Sequence, residues 1–105
     1  MAADATAATF PGLVGEGLVL VDIWGPACAP CLALMPQVEE LERSYEGHLR
    51  LVKVNAPENR QVCRDLRVLG LPTYLLFHDG EEVERLVGDP TIEDIVHAIE
   101  KRLGR

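Results

Sequence analysis

Short apolar runs alternate with polar stretches along the chain and predict several strands. Leu18–Val21, followed by Asp22 and Ile23, is too short for a helix and is rich in β-branched residues. A strand that is covered on both faces has such a continuous apolar run, so we expect a buried central strand here. Further strands are predicted at 49–54, 73–77 and 82–87, with a hairpin signal at Asp79-Gly80 between the last two.

Other segments carry apolar residues at helical spacing. After Cys31 the apolar stripe consists of Leu34, Val38, Leu41 and Tyr45. Pro36 falls within this helix and should kink it, because proline has no N–H to donate. A short helix is predicted over 58–69. A last helix is expected to begin at Thr91, where Asp94 three residues later forms a relative of the capping box, and to run to the C-terminus.

The order of these elements predicts an α/β fold. Strand, helix, strand, helix, hairpin and helix together give a mixed sheet of four to five strands with helices on both faces. Residues 1–17 are expected to add an edge strand and a short helix around 10–14. With 105 residues, the chain is expected to form a single domain over 1–105.

The net charge of −7 argues against several classes of function. Nucleic acids and anionic membrane surfaces are bound through clusters of Lys and Arg, so neither is an expected partner, and the like charges favour a monomer. No apolar run approaches the ~20 residues of a membrane span. Residues 1–9 lack the pattern of a signal peptide, so we expect a cytoplasmic protein. Three cysteines are too few for a disulfide framework, and a close pair in a reducing compartment indicates redox or metal chemistry.

The candidate chemistry lies in Cys28-Ala-Pro-Cys31, between the first buried strand and the first long helix. A helix N-terminus presents free N–H groups and partial positive charge, which favour a thiolate over a thiol. Lowering a thiol pKa from about 8.5 to about 7 raises the thiolate fraction at neutral pH from roughly 3% to roughly a half. Cys28 is then expected to attack a substrate disulfide, and the more shielded Cys31 to resolve the mixed disulfide. Pro30 stiffens the turn between them.

These residues leave two alternatives open. A Cys-x-x-Cys pair also supplies half of a structural zinc site. The remaining ligands would have to come from residues that show no paired ligand spacing, namely Cys63, His48, His78 and His97. Alternatively, both cysteines are inert residues of the core.

The chain resembles the thioredoxin family at several separated motifs. Val21-Asp-Ile-Trp24 and Cys28-Ala-Pro-Cys31 are similar to the family's Val-Asp-Phe-Trp and Cys-Gly-Pro-Cys. Pro36 matches its helix proline, Lys53-Val-Asn55 resembles its Lys-x-Asn, and Leu71-Pro72-Thr73 resembles its Ile-Pro-Thr. These matches keep their mutual spacing from Leu18 to the C-terminus, where Gly88 also has a counterpart.

The resemblance implies a thioredoxin fold and a set of site residues. Pro72 is expected to follow a cis peptide bond and to face the two sulfurs. Asp22 is expected to be a buried carboxylate that exchanges a proton with Cys31, because burial raises the pKa of a carboxyl group. Lys53 is expected to lie near Asp22 and to modulate its titration. The residues expected to contact substrate are Trp24, Ala27, Ala29, Pro30, Leu71, Pro72, Thr73 and Gly88.

The function implied by the resemblance is the reduction of protein disulfides by dithiol–disulfide exchange. The expected partners are disulfide-containing proteins and a thioredoxin reductase or another dithiol donor. No cofactor or metal is expected beyond the redox-active Cys28–Cys31 disulfide.

Three positions depart from the family's pattern. Ala27 stands where thioredoxins usually carry a second tryptophan, Ala29 replaces a glycine, and Leu32 replaces a lysine. Ala27 and Leu32 leave open a reductase that serves one partner only, and a non-catalytic interaction module of the same fold is a further alternative. Cys63 is expected to pack in the core, with a regulatory or dimer-forming thiol as the alternative.

Overall fold

A five-stranded mixed sheet forms the centre of the fold, with the strand order β1-β3-β2-β4-β5. The computed structural model describes residues 2–105. The strands are β1 (Ala3–Asp4), β2 (Leu18–Trp24), β3 (Arg50–Asn55), β4 (Thr73–His78) and β5 (Glu81–Leu86). β3 runs parallel to both β1 and β2, whereas β4 is antiparallel to β2 and β5. The predicted mixed sheet and the additional edge strand near the N-terminus are therefore confirmed.

Within residues 2–105, three α-helices and one short 3-10 helix lie between strands, and a fourth α-helix follows the last strand. They are α1 (Phe10–Leu13), α2 (Ala29–Ser44), a 3-10 turn (Ala56–Glu58), α3 (Arg60–Asp65) and α4 (Ile92–Arg102). The short helix predicted around 10–14 is present as α1. Thr91 and Asp94 form a reciprocal capping box at the start of α4, with N···O distances of 2.9 and 3.1 Å. None of the helices in residues 2–105 has the length and apolarity needed to cross a bilayer.

Two apolar layers lie on opposite faces of the sheet because successive side chains of a strand point to opposite sides. Val19, Val21 and Ile23 of β2 pack with residues of α1 and α3. Leu18 and Leu20 pack on the other face with residues of α2 and α4. Asp22 follows this second alternation, so its carboxyl group lies on the sheet face that α2 and α4 cover.

The helix predicted over 58–69 is shorter than its apolar spacing suggested. α3 ends at Asp65, and Arg67 adopts a left-handed conformation with φ of +56° that an α-helix does not contain. Val62 is buried, but Leu69 is fully exposed, so the apolar stripe does not continue into the core. The prediction of a helix as far as Leu69 is wrong, because the backbone leaves the helical conformation at Arg67 and no packing of Leu69 in the core extends the helix.

Candidate active site

Cys28 and Cys31 lie at the junction between β2 and α2. They are joined by a disulfide with a Cα–Cα distance of 5.3 Å. Cys28 is the N-cap residue of α2, and its Sγ accepts a hydrogen bond from the backbone N–H of Cys31 at 3.3 Å. Pro30 stands in the first helical turn, where a missing N–H leaves no hydrogen bond unmade. A backbone N–H of the first helical turn, which has no acceptor within the helix, therefore bonds to the Cys28 sulfur.

The two cysteines differ in their access to solvent. Cys31 is completely buried, whereas Cys28 is partly exposed. Ala27, Ala29 and Pro30, which flank Cys28, are all exposed. A partner protein can therefore reach the Cys28 sulfur at the surface, but it cannot reach Cys31 without first moving the turn.

The loop before β4 contains a cis peptide bond between Leu71 and Pro72, as the resemblance implied. The Leu71 side chain packs against Gly25, because its Cδ1 lies 3.1 Å from the position that a Cβ at Gly25 would occupy. Thr73 is buried and donates its hydroxyl hydrogen bond to the carbonyl oxygen of Gly70 at 2.7 Å. The loop that contains Pro72 is thus held against the segment that leads to Cys28.

Gly88 reaches the same region from β5. Tyr74 of β4 is paired with Leu86, so the chain after Leu86 emerges beside the start of β4. Gly88 has a φ of +75°, which favours glycine. Val87 and Leu71 are exposed apolar side chains on these two segments, at 62% and 36% of their full exposure.

Asp22 is a buried carboxyl group in the middle of β2. Burial raises its pKa from the ordinary 3.8 to about 7, while the positive charge of Lys53 lowers it and the negative charge of Glu39 raises it. Within residues 2–105, neither carboxyl oxygen of Asp22 has a hydrogen-bond partner. Asp22 can therefore take up and release a proton close to neutral pH.

Lys53 is the residue paired with Asp22 across the parallel β2–β3 ladder. Its ammonium group does not bond to Asp22 but donates to Glu39 Oε2 of α2, at 2.8 Å. This hydrogen bond raises the pKa of Lys53, so the lysine stays charged. Lys53 was expected near Asp22 from the resemblance, whereas Glu39 was not expected there, because the sequence shows it only as one of several acidic residues of α2.

Tyr74 is a second residue of this region that the sequence analysis did not single out. It is fully buried and is paired with Asp22 across the antiparallel β2–β4 ladder. Burial and the charge of Asp22 both raise the pKa of the Tyr74 hydroxyl, so it stays neutral. Asp22 is thus flanked in the sheet by a cation on one strand and a neutral phenol on the other.

Trp24 ends β2 four residues before Cys28 and is only partly exposed. Its indole Nε1 is buried, and no acceptor among the residues that the structure describes bonds to it. The register pairs Trp24 with Asn55, at the end of β3. The indole therefore lies at the same edge of the sheet as the cysteine pair, and contributes more to packing there than to the exposed surface.

The third cysteine and the histidines do not join the pair in a metal site. Across residues 2–105, no group of three or more His, Cys, Asp and Glu side chains could hold a metal ion. Cys63 is partly buried on α3 and packs against the apolar layer opposite Asp22, where burial raises the pKa of its thiol. Zinc binding by Cys28 and Cys31 therefore lacks the further ligands that a closed site requires.

Comparisons with known proteins agree with this site. The thioredoxin family profile matches residues 2–101. Thioredoxin 1 of Nostoc sp. is 38% identical over 104 residues, which span 97% of each chain. A thioredoxin of Acetoanaerobium sticklandii is 37% identical over 86% of each chain. The structure of a thioredoxin variant from Halobacterium salinarum superposes with a TM-score of 0.87 at 28% identity, and covers 95% of this chain and 88% of the other. The chain therefore belongs to the thioredoxin family and is a thiol–disulfide oxidoreductase with Cys28–Cys31 as its redox-active disulfide.

Proposed function

We propose that this thioredoxin reduces protein disulfides with Cys28 as the attacking thiolate and Cys31 as the resolving cysteine. The difference in exposure between the two sulfurs is the observation that carries the assignment, since only Cys28 is open to a partner. In the first step the Cys28 thiolate attacks one sulfur of a substrate disulfide. A mixed disulfide forms, the substrate S–S bond breaks, and the departing substrate thiolate takes up a proton.

In the second step Asp22 accepts the proton of the Cys31 thiol. The Cys31 thiolate then attacks the Cys28 sulfur, which forms the intramolecular disulfide and releases the second substrate thiolate. Two electrons pass from the dithiol to the substrate. The support for Asp22 is its burial beneath α2, whose first turn carries Cys31, together with its pKa near 7. Lys53 modulates this proton transfer through its charge.

The surface around Cys28 is proposed to bind an extended segment of the substrate. Leu71, Pro72 and Thr73 would line one side of it, next to the cis bond. The opposite side and the floor would come from the remaining predicted contact residues, Trp24, Ala27, Ala29, Pro30 and Gly88. Thioredoxins act on disulfide-containing proteins and are re-reduced by a partner reductase. For this chain we propose a thioredoxin reductase or another dithiol donor in the cytoplasm, and a monomer of one domain over 1–105.

Insulin reduction and disulfide trapping test this assignment. Wild-type protein should accelerate the reduction of insulin by dithiothreitol, and Cys28→Ser should abolish the acceleration. Cys63→Ser is the matched control, because this cysteine packs on the opposite face of the sheet, and it should retain the wild-type rate. Cys31→Ser should accumulate mixed disulfides through Cys28. Mixed disulfides that accumulate in Cys28→Ser but not in Cys31→Ser would show that the order of attack is reversed. Wild-type activity in Cys28→Ser would show that the cysteine pair is not the site of reduction.

A reductase with a narrow partner range is the second candidate. Ala27 is exposed and small at a position where the family usually offers a tryptophan ring, and the exposed apolar side chains nearby are Leu71, Val87 and Leu32. Ala27→Trp should widen the range of proteins trapped by Cys31→Ser. An unchanged set of trapped proteins would count against a restriction imposed by Ala27.

A further inference from the structure

Glu39 is placed to control the charges around the buried Asp22. We propose that Glu39 is a positioning residue of the dithiol site, which holds the Lys53 ammonium group and so keeps Asp22 a strong enough base to accept the Cys31 proton. This inference rests on the proposed role of Asp22. The group that Glu39 binds is the Lys53 ammonium, not a cysteine sulfur.

The first observation is the direction in which Lys53 is bound. Lys53 is the register partner of Asp22 on the neighbouring strand, so the two side chains emerge side by side on the face that α2 covers. The lysine nevertheless donates its hydrogen bond to Glu39, at 2.8 Å, while both Asp22 oxygens have no hydrogen-bond partner in the part of the chain that the structure describes. Two carboxyl groups therefore compete for one ammonium group, and Glu39 holds it.

The second observation is the gradient of burial along these three groups. The side chain of Glu39 is 40% exposed, that of Lys53 is 17% exposed, and Asp22 is completely buried. Glu39 and Lys53 also line an open groove between α2 and the β1–β3 edge of the sheet. The Glu39 carboxylate therefore keeps contact with solvent, whereas an ionised Asp22 would have to lose its hydration.

Charge pairing with Glu39 weakens the influence of Lys53 on Asp22. A free ammonium group beside a buried carboxyl would stabilise the carboxylate and make Asp22 a weaker base. The negative charge of Glu39 offsets that of the ammonium, and it also acts on Asp22 directly in the same direction. Both effects keep the proton on Asp22 until the pH is close to neutral.

Other groups around Asp22 are accounted for. Tyr74 faces it from β4 and stays neutral, and Asp4 on β1 acts on Lys53 rather than on Asp22. Lys53 of β3 and Glu39 of α2 are the groups whose charges act on Asp22. Arg43 of α2, which is bound to Glu40, also interacts electrostatically with Glu39. Glu39 binds Lys53 from a helix, so its charge can be removed without a substitution in any strand of the sheet.

The test is the titration of Asp22 itself in oxidised protein, followed through its side-chain carboxyl carbon by NMR and assigned with Asp22→Asn. Glu39→Gln should lower the midpoint by about half a pH unit or more, because a carboxylate charge near both groups is lost. Glu40→Gln is the matched control on the same helix: it removes the same charge from an exposed residue that is bound to Arg43, and should move the midpoint by less than about 0.2 unit. An unchanged or raised midpoint in Glu39→Gln overturns the proposal.

A second pair of variants tests whether Glu39 acts through Lys53. In a Lys53→Met background, Glu39→Gln should move the Asp22 midpoint by less than half of its effect in wild-type protein, since no ammonium group is left to release. An equal shift in both backgrounds shows a direct field effect and overturns the positioning role. Amide spectra of each variant confirm that it is folded.

The pH dependence of insulin reduction separates this inference from the proposed function. If Asp22 accepts the Cys31 proton, the pH–rate profile of Glu39→Gln shifts to lower pH in parallel with the Asp22 midpoint. A midpoint that moves without any change in the rate profile refutes the proton-transfer role of Asp22 and leaves the action of Glu39 on Asp22 standing. A rate profile that moves while the midpoint stays fixed refutes the positioning role.

Discussion

Replacing Asp22 with asparagine should stabilise the protein, and the gain should depend on pH. The carboxyl group is buried, and its pKa of about 7 in the folded protein compares with an ordinary value of 3.8. Burial is the main cause, because an ionised carboxylate loses its hydration when the chain folds. Asparagine has nearly the same shape but does not ionise, so Asp22→Asn removes the cost of charge and little else.

The size and the sign of this effect follow from linkage. Below about pH 4 the carboxyl group is protonated in both the folded and the unfolded chain, so it contributes no charge penalty. As the pH rises from about 4 to about 7, the unfolded chain releases the proton and the folded chain keeps it, so the free energy of unfolding falls. Above pH 7 the loss is complete, and a pKa difference of about three units corresponds to about 4 kcal/mol.

Urea unfolding of the oxidised protein at pH 4 and at pH 8.5 measures this effect. Asp22→Asn and wild type should agree within about 1 kcal/mol at pH 4. At pH 8.5 the variant should be more stable by about 4 kcal/mol. Asp89→Asn is the matched control, because it makes the same change at an exposed turn position with a φ of +57° that asparagine tolerates, and it should gain nothing at either pH. An equal gain at both pH values, or none at pH 8.5, would refute the burial argument.

Two further predictions concern the stability of the scaffold. Arg67→Gly should stabilise the protein by about 1 kcal/mol, because the left-handed φ of +56° is strained for arginine but not for glycine. Arg67→Ala should bring no gain, because alanine is strained in the same way. Urea unfolding of both variants measures the difference. Thr91→Ala should cost about 1 kcal/mol because Asp94 loses the acceptor of its backbone N–H, and Thr91→Ser should recover most of that loss in the same measurement; equal stability of the two Thr91 variants would argue against the cap.

The central strands β2 and β4 could be predicted from the sequence because they are nearly continuous apolar runs. Leu18–Val21 is buried on both faces of the sheet, so every residue in it is apolar and the run is visible in the sequence. The segment after α3 could not be predicted in this way. Val62 and Leu69 are both apolar, but only Val62 is buried, and nothing local marks Arg67 as the residue that leaves the helix with a positive φ. Leu69 is an apolar side chain on the surface, and its spacing from Val62 alone does not distinguish it from a core residue.

From the residues alone, the site could be predicted only as far as its residues belong to contiguous motifs, and the expectation that Lys53 lies near Asp22 came from the resemblance to the thioredoxin family. Cys28 and Cys31 stand together in the chain, whereas Lys53 and Tyr74 meet Asp22 only because β3 and β4 flank β2 in register. The sequence offers no sign that Glu39, one of several acidic residues on α2, is the one that contacts Lys53. Contacts between distant segments depend on strand order and helix rotation, and a single sequence fixes neither.

The free energy by which the ionised Asp22 destabilises the folded protein is the same free energy that makes this carboxylate a stronger base. With its ordinary pKa of 3.8, the carboxylate would be a poor acceptor for a thiol proton with an ordinary pKa of about 8.5, and the transfer would be uphill by roughly 6 kcal/mol. With a pKa of about 7 the same transfer is uphill by roughly 2 kcal/mol. The difference of about 4 kcal/mol equals the folding penalty at neutral pH, because both come from placing the charged carboxylate out of water. Any variant that relieves the penalty by solvating or pairing Asp22 must therefore weaken it as a proton acceptor by the same amount. Asp22→Asn is the limiting case, with the greatest gain in stability and no base left to deprotonate Cys31.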